Sequence, residues 1–389
     1  MLVIPSASYS FERLTPEFGS NYAPNLAKTE AGLWMEFSDH ENQLKNSPVR
    51  INDIDLDGYL KEVLCKLALE YCEDVRVYVI RNPYFNASMA PNGMMQVHTG
   101  FLLRVENEAQ LASVLGHEIG HFLKRHSIKS MEDTNTKSSF FAFLSLGVVG
   151  AVASGNMNAD FGRSTLDLSN LILTGSIFSY SRDNEREADK YGIQLLNDAK
   201  LDINAAKEIW VNLIEEKKAA SEDITAGSYF YATHPDPGER INNLESHAIA
   251  LNRTSQTSII KNKETYWEKI SPILPIALKD ELNLRQFEQT EYLFKKLLNN
   301  NVSLGLIHFY LGELYRLKEI EEEEHLIKEH YNKATEYEDY PAEVHRSLGL
   351  IDYKARNYPE AKGHFNKYLN MKPDAHDKEM IEFYINTGA

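Results

Sequence analysis

His117-Glu118-Ile119-Gly120-His121 sets two imidazoles and a carboxylate at spacings that chemistry can use. On an α-helix, positions i and i+4 lie on one face, so His117 and His121 can point at one metal ion. Glu118, one residue on, is then placed to take a proton from a water that the metal has acidified, as that water attacks a carbonyl. With 13 His in 389 residues, and all 57 acids as an upper bound for Glu, chance supplies fewer than about 0.07 such motifs in this chain. The pattern reads as a metal-dependent hydrolase, against the plainer alternative of a helix with surface histidines.

A third ligand must come from elsewhere. His126 falls about half a turn from His117 on a continuous helix, on the opposite face, so it is expected to be structural or exposed. Lys124 and Ser127 also stand where an HExxHxxGxxH protease needs Gly and His. The better candidate is Glu185, in Ser181-Arg-Asp-Asn-Glu-Arg-Glu-Ala-Asp189. Glu185 and Asp189 are i and i+4 on a second helix. Glu185 can ligate while Asp189 accepts the free N–H of a ligand imidazole and fixes its tautomer. Glu187 is rotated by about 200° from Glu185 and is expected to point away. For these acids alone, a solvated helix start is the competing reading.

The elements that must position these residues can be read from periodicity. Residues 54–73 are predicted helical, and Val75–Ile80 and Met94–Thr99 are predicted strands, the second following the turn Pro91-Asn92-Gly93. Met94–Thr99 is expected to be an edge strand beside the cleft, to which an extended peptide could add by main-chain hydrogen bonds, with an ordinary internal strand as the alternative. A helix is predicted from about 108 to 126, with Asn107 as its cap and Gln110 completing a capping box. Further helices are predicted over 171–197 and 204–219. The first 50 residues, with Pro5, Pro16, Pro24 and Pro48, read as an irregular arm. The apolar stretch Phe140–Ala153 admits three roles: buried core, a lid over the site, or interfacial attachment. Cys65 and Cys72 would be about 10.5 Å apart in one unbroken helix, too far to bridge, unless the helix ends near Tyr71 and the chain turns back.

The last third repeats. Leu348, Gly349, Tyr358, Ala361, Phe365 and Pro373 sit at offsets 0, 1, 10, 13, 17 and 25, the spacing of a tetratricopeptide helix pair. Leu311-Gly312 precedes Leu348-Gly349 by 37 residues, and Phe287, Thr290 and Phe294 precede Tyr358, Ala361 and Phe365 by 71, or 34 + 37. About three repeats are expected, the middle one stretched by Glu321–Glu324, with a plain helical bundle as the alternative.

HEIGH, followed by an E-x-x-A-D helix and the loop Thr233-His-Pro-Asp-Pro-Gly-Glu-Arg-Ile241, resembles the gluzincin metallopeptidases that include HtpX, the Oma-type mitochondrial protease and the CAAX prenyl proteases. The lead-in segments Asn86–Ala90, Met94–Gly100 and Glu106–Leu111 fit the same family. Repeats without membrane spans bring it nearest to the periplasmic β-barrel assembly-enhancing type. The resemblance implies one Zn2+ bound by His117, His121 and Glu185, with Glu118 as general base. It also implies that His234 can approach the zinc, either stabilising the oxyanion or closing the fourth coordination site; a loop-capping His is the alternative. Arg240 would orient this loop, pair with an acid near the zinc, or lie on the surface. The implied fold class is α+β. An irregular arm (1–50) leads into a mainly helical metallopeptidase domain with a small β-sheet (51–255), followed by an all-α tetratricopeptide solenoid (272–389). The implied activity is endopeptidase cleavage of misfolded or extended polypeptides, with a protein partner on the concave face of the repeats. The competing class is an assembly chaperone whose protease site is latent.

Composition narrows the setting. Lys+Arg number 41 and Asp+Glu 57, a net charge of −16, which disfavours nucleic acid and anionic membrane surfaces. Two cysteines exclude a disulfide-rich scaffold and a four-cysteine zinc site. No apolar run reaches the roughly 18–20 residues of a transmembrane helix. The family resemblance points to the periplasm or cell envelope. The opening MLVIPSASYS has no signal-peptide pattern, which fits either a cytoplasmic chain or one whose signal has been removed.

Overall fold

The computed structural model describes residues 11–25, 29–132, 180–219, 237–254 and 258–387. Two compact units divide the chain, Met1–Ala277 and Leu278–Ala389.

The first unit contains a helix where the prolines imply an irregular arm: α1 covers Thr29–Lys45. Pro16 and Pro24 precede it and Pro48 follows, so none interrupts it. A buried carboxylate docks it. Glu41 accepts from Arg76 Nε at 2.7 Å, the Tyr78 hydroxyl at 2.7 Å and Asn92 Nδ2 at 3.1 Å. Burial by itself would raise the Glu41 pKa, but the bonds from Arg76 and Tyr78 outweigh it and hold the group at about 2. Ahead of α1 the chain runs extended, with Leu14 and the Gln194 side chain exchanging two hydrogen bonds of 2.8 and 3.0 Å.

β1 (Arg50–Ile51) leads into α2 (Ile54–Leu67), capped by Asp53 accepting from the backbone N–H of Asp55 and Leu56. The helix stops at Leu67, six residues short of the expected end, because Ala68 leaves the helical region and a 3-10 turn (Leu69–Tyr71) follows. This reversal brings the Cα atoms of Cys65 and Cys72 to 4.8 Å, and the two are disulfide-bonded. β2 (Arg76–Ile80), β3 (Ala87–Met89) and β4 (Met94–His98) complete a four-stranded sheet of order β1-β2-β4-β3. β4 runs parallel to β2, with Arg76 opposite Met94, and antiparallel to β3, with Ala87 opposite Val97. Met94–His98 is therefore an internal strand with both edges paired, and a peptide cannot add to it; the terminal strands are β1 and β3. The β3–β4 turn needs Gly93, at φ +86°, where a Cβ would lie 2.1 Å from the Asp74 carbonyl oxygen.

α3 (Thr99–Arg104) and α4 (Glu108–Leu123) follow. Every residue of α4 is buried, and it forms the core of the unit. Asn107 caps it through Gln110 N, while Gln110 Oε1 accepts from Glu106 N rather than from the cap residue itself. α5 (His126–Glu132) begins after Arg125 turns to φ 55°. α6 (Arg182–Asp198) starts with Ser181 as its cap, so Tyr180 and Ser181 lie outside the helix predicted over 171–197. α7 (Ala205–Ala219), α8 (Pro237–Thr254) and α9 (Lys263–Ile270) close the unit. Helices α2, α6 and α7 all pack on α4. No helix of the described residues is long and apolar enough to cross a membrane. The stretch 140–153 lies outside those residues.

After α10 (Leu274–Asn283), the second unit consists of α11 (Phe287–Asn299), α12 (Leu304–Lys318), α13 (Glu324–Ala334), α14 (Glu343–Lys354), α15 (Tyr358–Met371) and α16 (Lys378–Thr387). From α11 on, each packs on the next. Gly312 of α12 faces the Tyr331 ring of α13, where a Cβ would lie 2.5 Å away; Gly349 of α14 faces Phe365 of α15 at 2.6 Å. The two Gly–aromatic separations are 331 − 312 = 19 and 365 − 349 = 16. The three extra residues are a 3-10 turn, Glu321–Glu323, which accounts for the stretched interval in the sequence.

Paired histidines recur with the same period. His308 Nδ1 lies 2.9 Å from His330 Nδ1, and His345 Nδ1 lies 3.0 Å from His364 Nδ1. Burial, then the charge of the partner histidine, pushes His330 and His345 each down to about 4. The folded state therefore binds these protons less readily than the unfolded chain. The stability is complete above the ordinary histidine pKa of about 6.5 and declines as pH falls from there toward 4. Thermal unfolding followed by circular dichroism should show a lower midpoint at pH 5 than at pH 7.5, with a smaller difference in a His330→Gln/His345→Gln variant. An unchanged pH dependence in that variant would exclude the pairs as its source.

Candidate metal centre

α4 presents His117 and His121 one turn apart, with their Nε2 atoms 3.0 Å from each other. α6 brings Glu185 against them, Oε2 at 3.5 Å from His117 Nε2 and Oε1 at 3.3 Å from His121 Nε2. All three residues are buried. Donors bound at about 2.0–2.1 Å to a tetrahedral zinc lie about 3.3 Å apart; the two imidazole Nε2 atoms, at 3.0 Å, are near that spacing, and one donor atom each from His117, His121 and Glu185 lie within 4.8 Å of one another. Two imidazoles and one carboxylate are also a donor set that leaves the fourth position of a catalytic zinc to solvent or substrate. Glu118 is buried on the same turn of α4, close enough for its charge to raise the Tyr180 pKa, after the larger effect of burial.

Neighbouring charges hold the histidines in order. Asp189 Oδ1 lies 2.9 Å from His117 Nδ1, which leaves Nε2 of that ring facing Glu185. Burial, then the charge on Arg240, pushes His117 down to about 4, so at neutral pH it is the uncharged ring that a metal needs. Arg240 reaches in from α8. Its Nε donates to Asp189 Oδ2 at 3.0 Å, its NH2 group pairs with Asp189 Oδ1, and its NH1 lies 3.3 Å from Glu185 Oε2. Burial disfavours its charge, but Asp189 and Glu185 more than offset this. The guanidinium also stacks over the Trp210 ring at 3.9 Å. Of the roles open to Arg240 in the sequence, this is pairing with acids beside the site. His234 lies outside the described residues.

His126, expected to be structural or exposed, packs on a candidate ligand, and Glu187, expected to point away, packs on His126. His126 is fully buried, and its Nδ1 lies 2.9 Å from His121 Nδ1. The helical-wheel argument fails because α4 ends at Leu123: Lys124 and Arg125 bond back to the carbonyls of Gly120 and Phe122, and the chain folds His126 onto the helix it has just left. Glu187 does point away from the ligand atoms, yet its Oε2 lies 3.0 Å from His126 Nε2. Tyr180 stacks on the His121 ring, centroids 3.8 Å apart.

The short distance between α4 and α6 depends on glycine. A Cβ on Gly192 would lie 3.0 Å from His117 N, and one on Gly120 would lie 3.1 Å from the Ala188 carbonyl oxygen. A Cβ on Gly116 would lie 3.4 Å from the Gly192 Cα. Gly116, just before the histidine motif, and Gly120, within it, stand at i and i+4, a spacing from which this contact could have been read. Gly192→Val should force the helices apart, lowering the thermal midpoint and weakening zinc binding at least about tenfold in a chelator competition. Wild-type affinity in that variant would refute the role given to this contact.

The pattern of Peptidase family M48 matches residues 51–248. A putative β-barrel assembly-enhancing protease of Vibrio cholerae is 32% identical over 213 residues, covering 53% of this chain and 42% of that protein. The β-barrel assembly-enhancing protease of Escherichia coli is 26% identical over 272 residues, 68% of this chain and 52% of that one. The mitochondrial metalloendopeptidase OMA1 of Schizosaccharomyces pombe is 33% identical over 193 residues, 48% and 51%. The chain spans about half the length of these relatives. The family pattern covers half of the chain, including the segment that carries His117, His121 and Glu185, and the chain belongs to peptidase family M48.

Proposed function

We propose that the protein is a zinc endopeptidase for misfolded or unassembled proteins of the cell envelope. The observation that carries this reading is the buried cluster of two imidazoles and one carboxylate, His117, His121 and Glu185, with one donor atom of each within 4.8 Å of the others. Bound zinc would polarise a peptide carbonyl and make water acidic enough to ionise near neutral pH. Glu118 takes the proton of the attacking water as its oxygen bonds to the carbonyl carbon. It then delivers that proton to the amide nitrogen as the C–N bond breaks. Asp189 holds His117 in the tautomer that leaves Nε2 for the metal, and Arg240 balances the charge of the acids around it.

The relatives named for β-barrel assembly support an envelope setting, and the Cys65–Cys72 bridge suits an oxidising compartment. The Gly–aromatic contacts of the second unit, at the spacing of the sequence repeat, support a tetratricopeptide solenoid whose concave face holds a substrate or partner. His234 is assigned, by the family resemblance, either to the oxyanion or to an inhibitory fourth ligand position. A chaperone with a latent protease site is the second reading, favoured by a helical unit that could bind protein without the zinc centre.

Purified protein should hold one zinc per chain. Glu118→Gln should keep the metal and lose proteolysis of an unfolded protein substrate by about 10²-fold or more. Full peptidase activity in Glu118→Gln would refute the mechanism. Undetectable cleavage by the wild type, with substrate binding intact in both proteins, would favour the chaperone reading. His234→Ala separates the two roles of that residue: cleavage rises if it blocks the site and falls if it supports the oxyanion.

A further inference from the structure

Three acids of α6 lie at i, i+2 and i+4, and each reaches the metal centre by a different route. Glu185 faces the imidazole Nε2 atoms, and Asp189 meets His117 Nδ1. Glu187 emerges on the other side of the helix, where its Oε2 is 3.0 Å from His126 Nε2, and His126 Nδ1 is 2.9 Å from His121 Nδ1. Lys124 Nζ, 3.0 Å from Glu187 Oε1, steadies the outer end. The second imidazole thus also ends on a carboxylate, with one histidine interposed.

We propose that His126 and Glu187 are positioning residues that fix the tautomer and orientation of His121. The proposal rests on the zinc reading of the His117–His121–Glu185 triangle. If His121 offers Nε2 to the metal, its single ring proton must sit on Nδ1. His126 Nδ1 must then accept that proton's hydrogen bond, so the His126 proton sits on Nε2 and is donated to Glu187. Each atom in the chain has one role, and no two donors or acceptors face each other. Were His126 protonated on Nδ1 instead, His121 Nδ1 would have to accept, and the His121 proton would move to the nitrogen that the metal requires. The contact therefore couples the ligand state of His121 to Glu187 through His126. Tyr180, stacked on the His121 ring and paired with Ser127 Oγ at 2.8 Å, restrains the ring plane but leaves the proton's place undetermined.

The test is zinc affinity of the full chain, measured by competition with a chromophoric chelator, with the visible spectrum of the cobalt-substituted protein as a second readout. His126→Phe should bind zinc about 10- to 100-fold more weakly than wild type and shift the cobalt bands. His126→Asn keeps an acceptor oxygen near the position of Nδ1 and should stay within about threefold. Glu187→Ala, at a partly exposed position, should weaken zinc by about three- to tenfold. Circular dichroism melts of the metal-free variants report the fold. Should His126→Phe fail to fold, His126→Asn and Glu187→Ala carry the test. Wild-type affinity in Glu187→Ala overturns the proposal, as does equal weakness of His126→Asn and His126→Phe. A wild-type protein that binds no zinc would instead overturn the metal reading beneath it.

Discussion

Everything at the metal centre depends on how closely α4 and α6 approach. The two histidines come from one helix and the carboxylate from the other, so the donor triangle exists only if the backbones nearly touch. Gly116, Gly120 and Gly192 permit this, and Ala188 beside Gly120 is the smallest side chain that a non-glycine residue can offer. Small residues at a helix crossing lower the interaxial distance. A larger residue at Gly192 would meet the backbone of His117, one of the three candidate metal ligands.

The same approach places charge where water cannot screen it. Glu185, Asp189, Glu118 and Arg240 are all buried around two imidazoles. Such a cluster is tolerable only when nearly every group has a counter-charge or a hydrogen bond. Arg240 supplies the positive charge from α8, and its stacking on Trp210 fixes the guanidinium plane. Arg240 therefore ties the helix that follows 220–236 directly to the metal centre. The arrangement keeps His117 neutral and Asp189 ionised, the states that metal binding needs.

The second unit obeys a different rule. Its contacts run between neighbouring helices, and the glycine-on-aromatic contact recurs from one hairpin to the next. The insertion of Glu321–Glu323 is absorbed in a turn, so the Gly312–Tyr331 contact survives three extra residues. Because loops take up length and helix faces do not, a repeat can be stretched between its helices without losing its packing.

Local information in the sequence reached far. HEIGH with its cap marked the helix α4, the i and i+4 spacing of Glu185 and Asp189 marked the face of α6 that meets it, and the offsets around Gly349 marked the helical hairpins. These features depend on helical periodicity, which is written residue by residue. Tertiary structure decided the rest. That Met94–His98 is an internal strand depends on β3 pairing across a hairpin, and that Thr29–Lys45 is a helix depends on Glu41 finding Arg76 and Tyr78. His126 lay on the wrong face of an ideal helix, and only the break at Leu123 turned it onto His121. A helical wheel holds while the helix lasts, and where a helix ends is settled by what its carbonyls and its neighbours can bond.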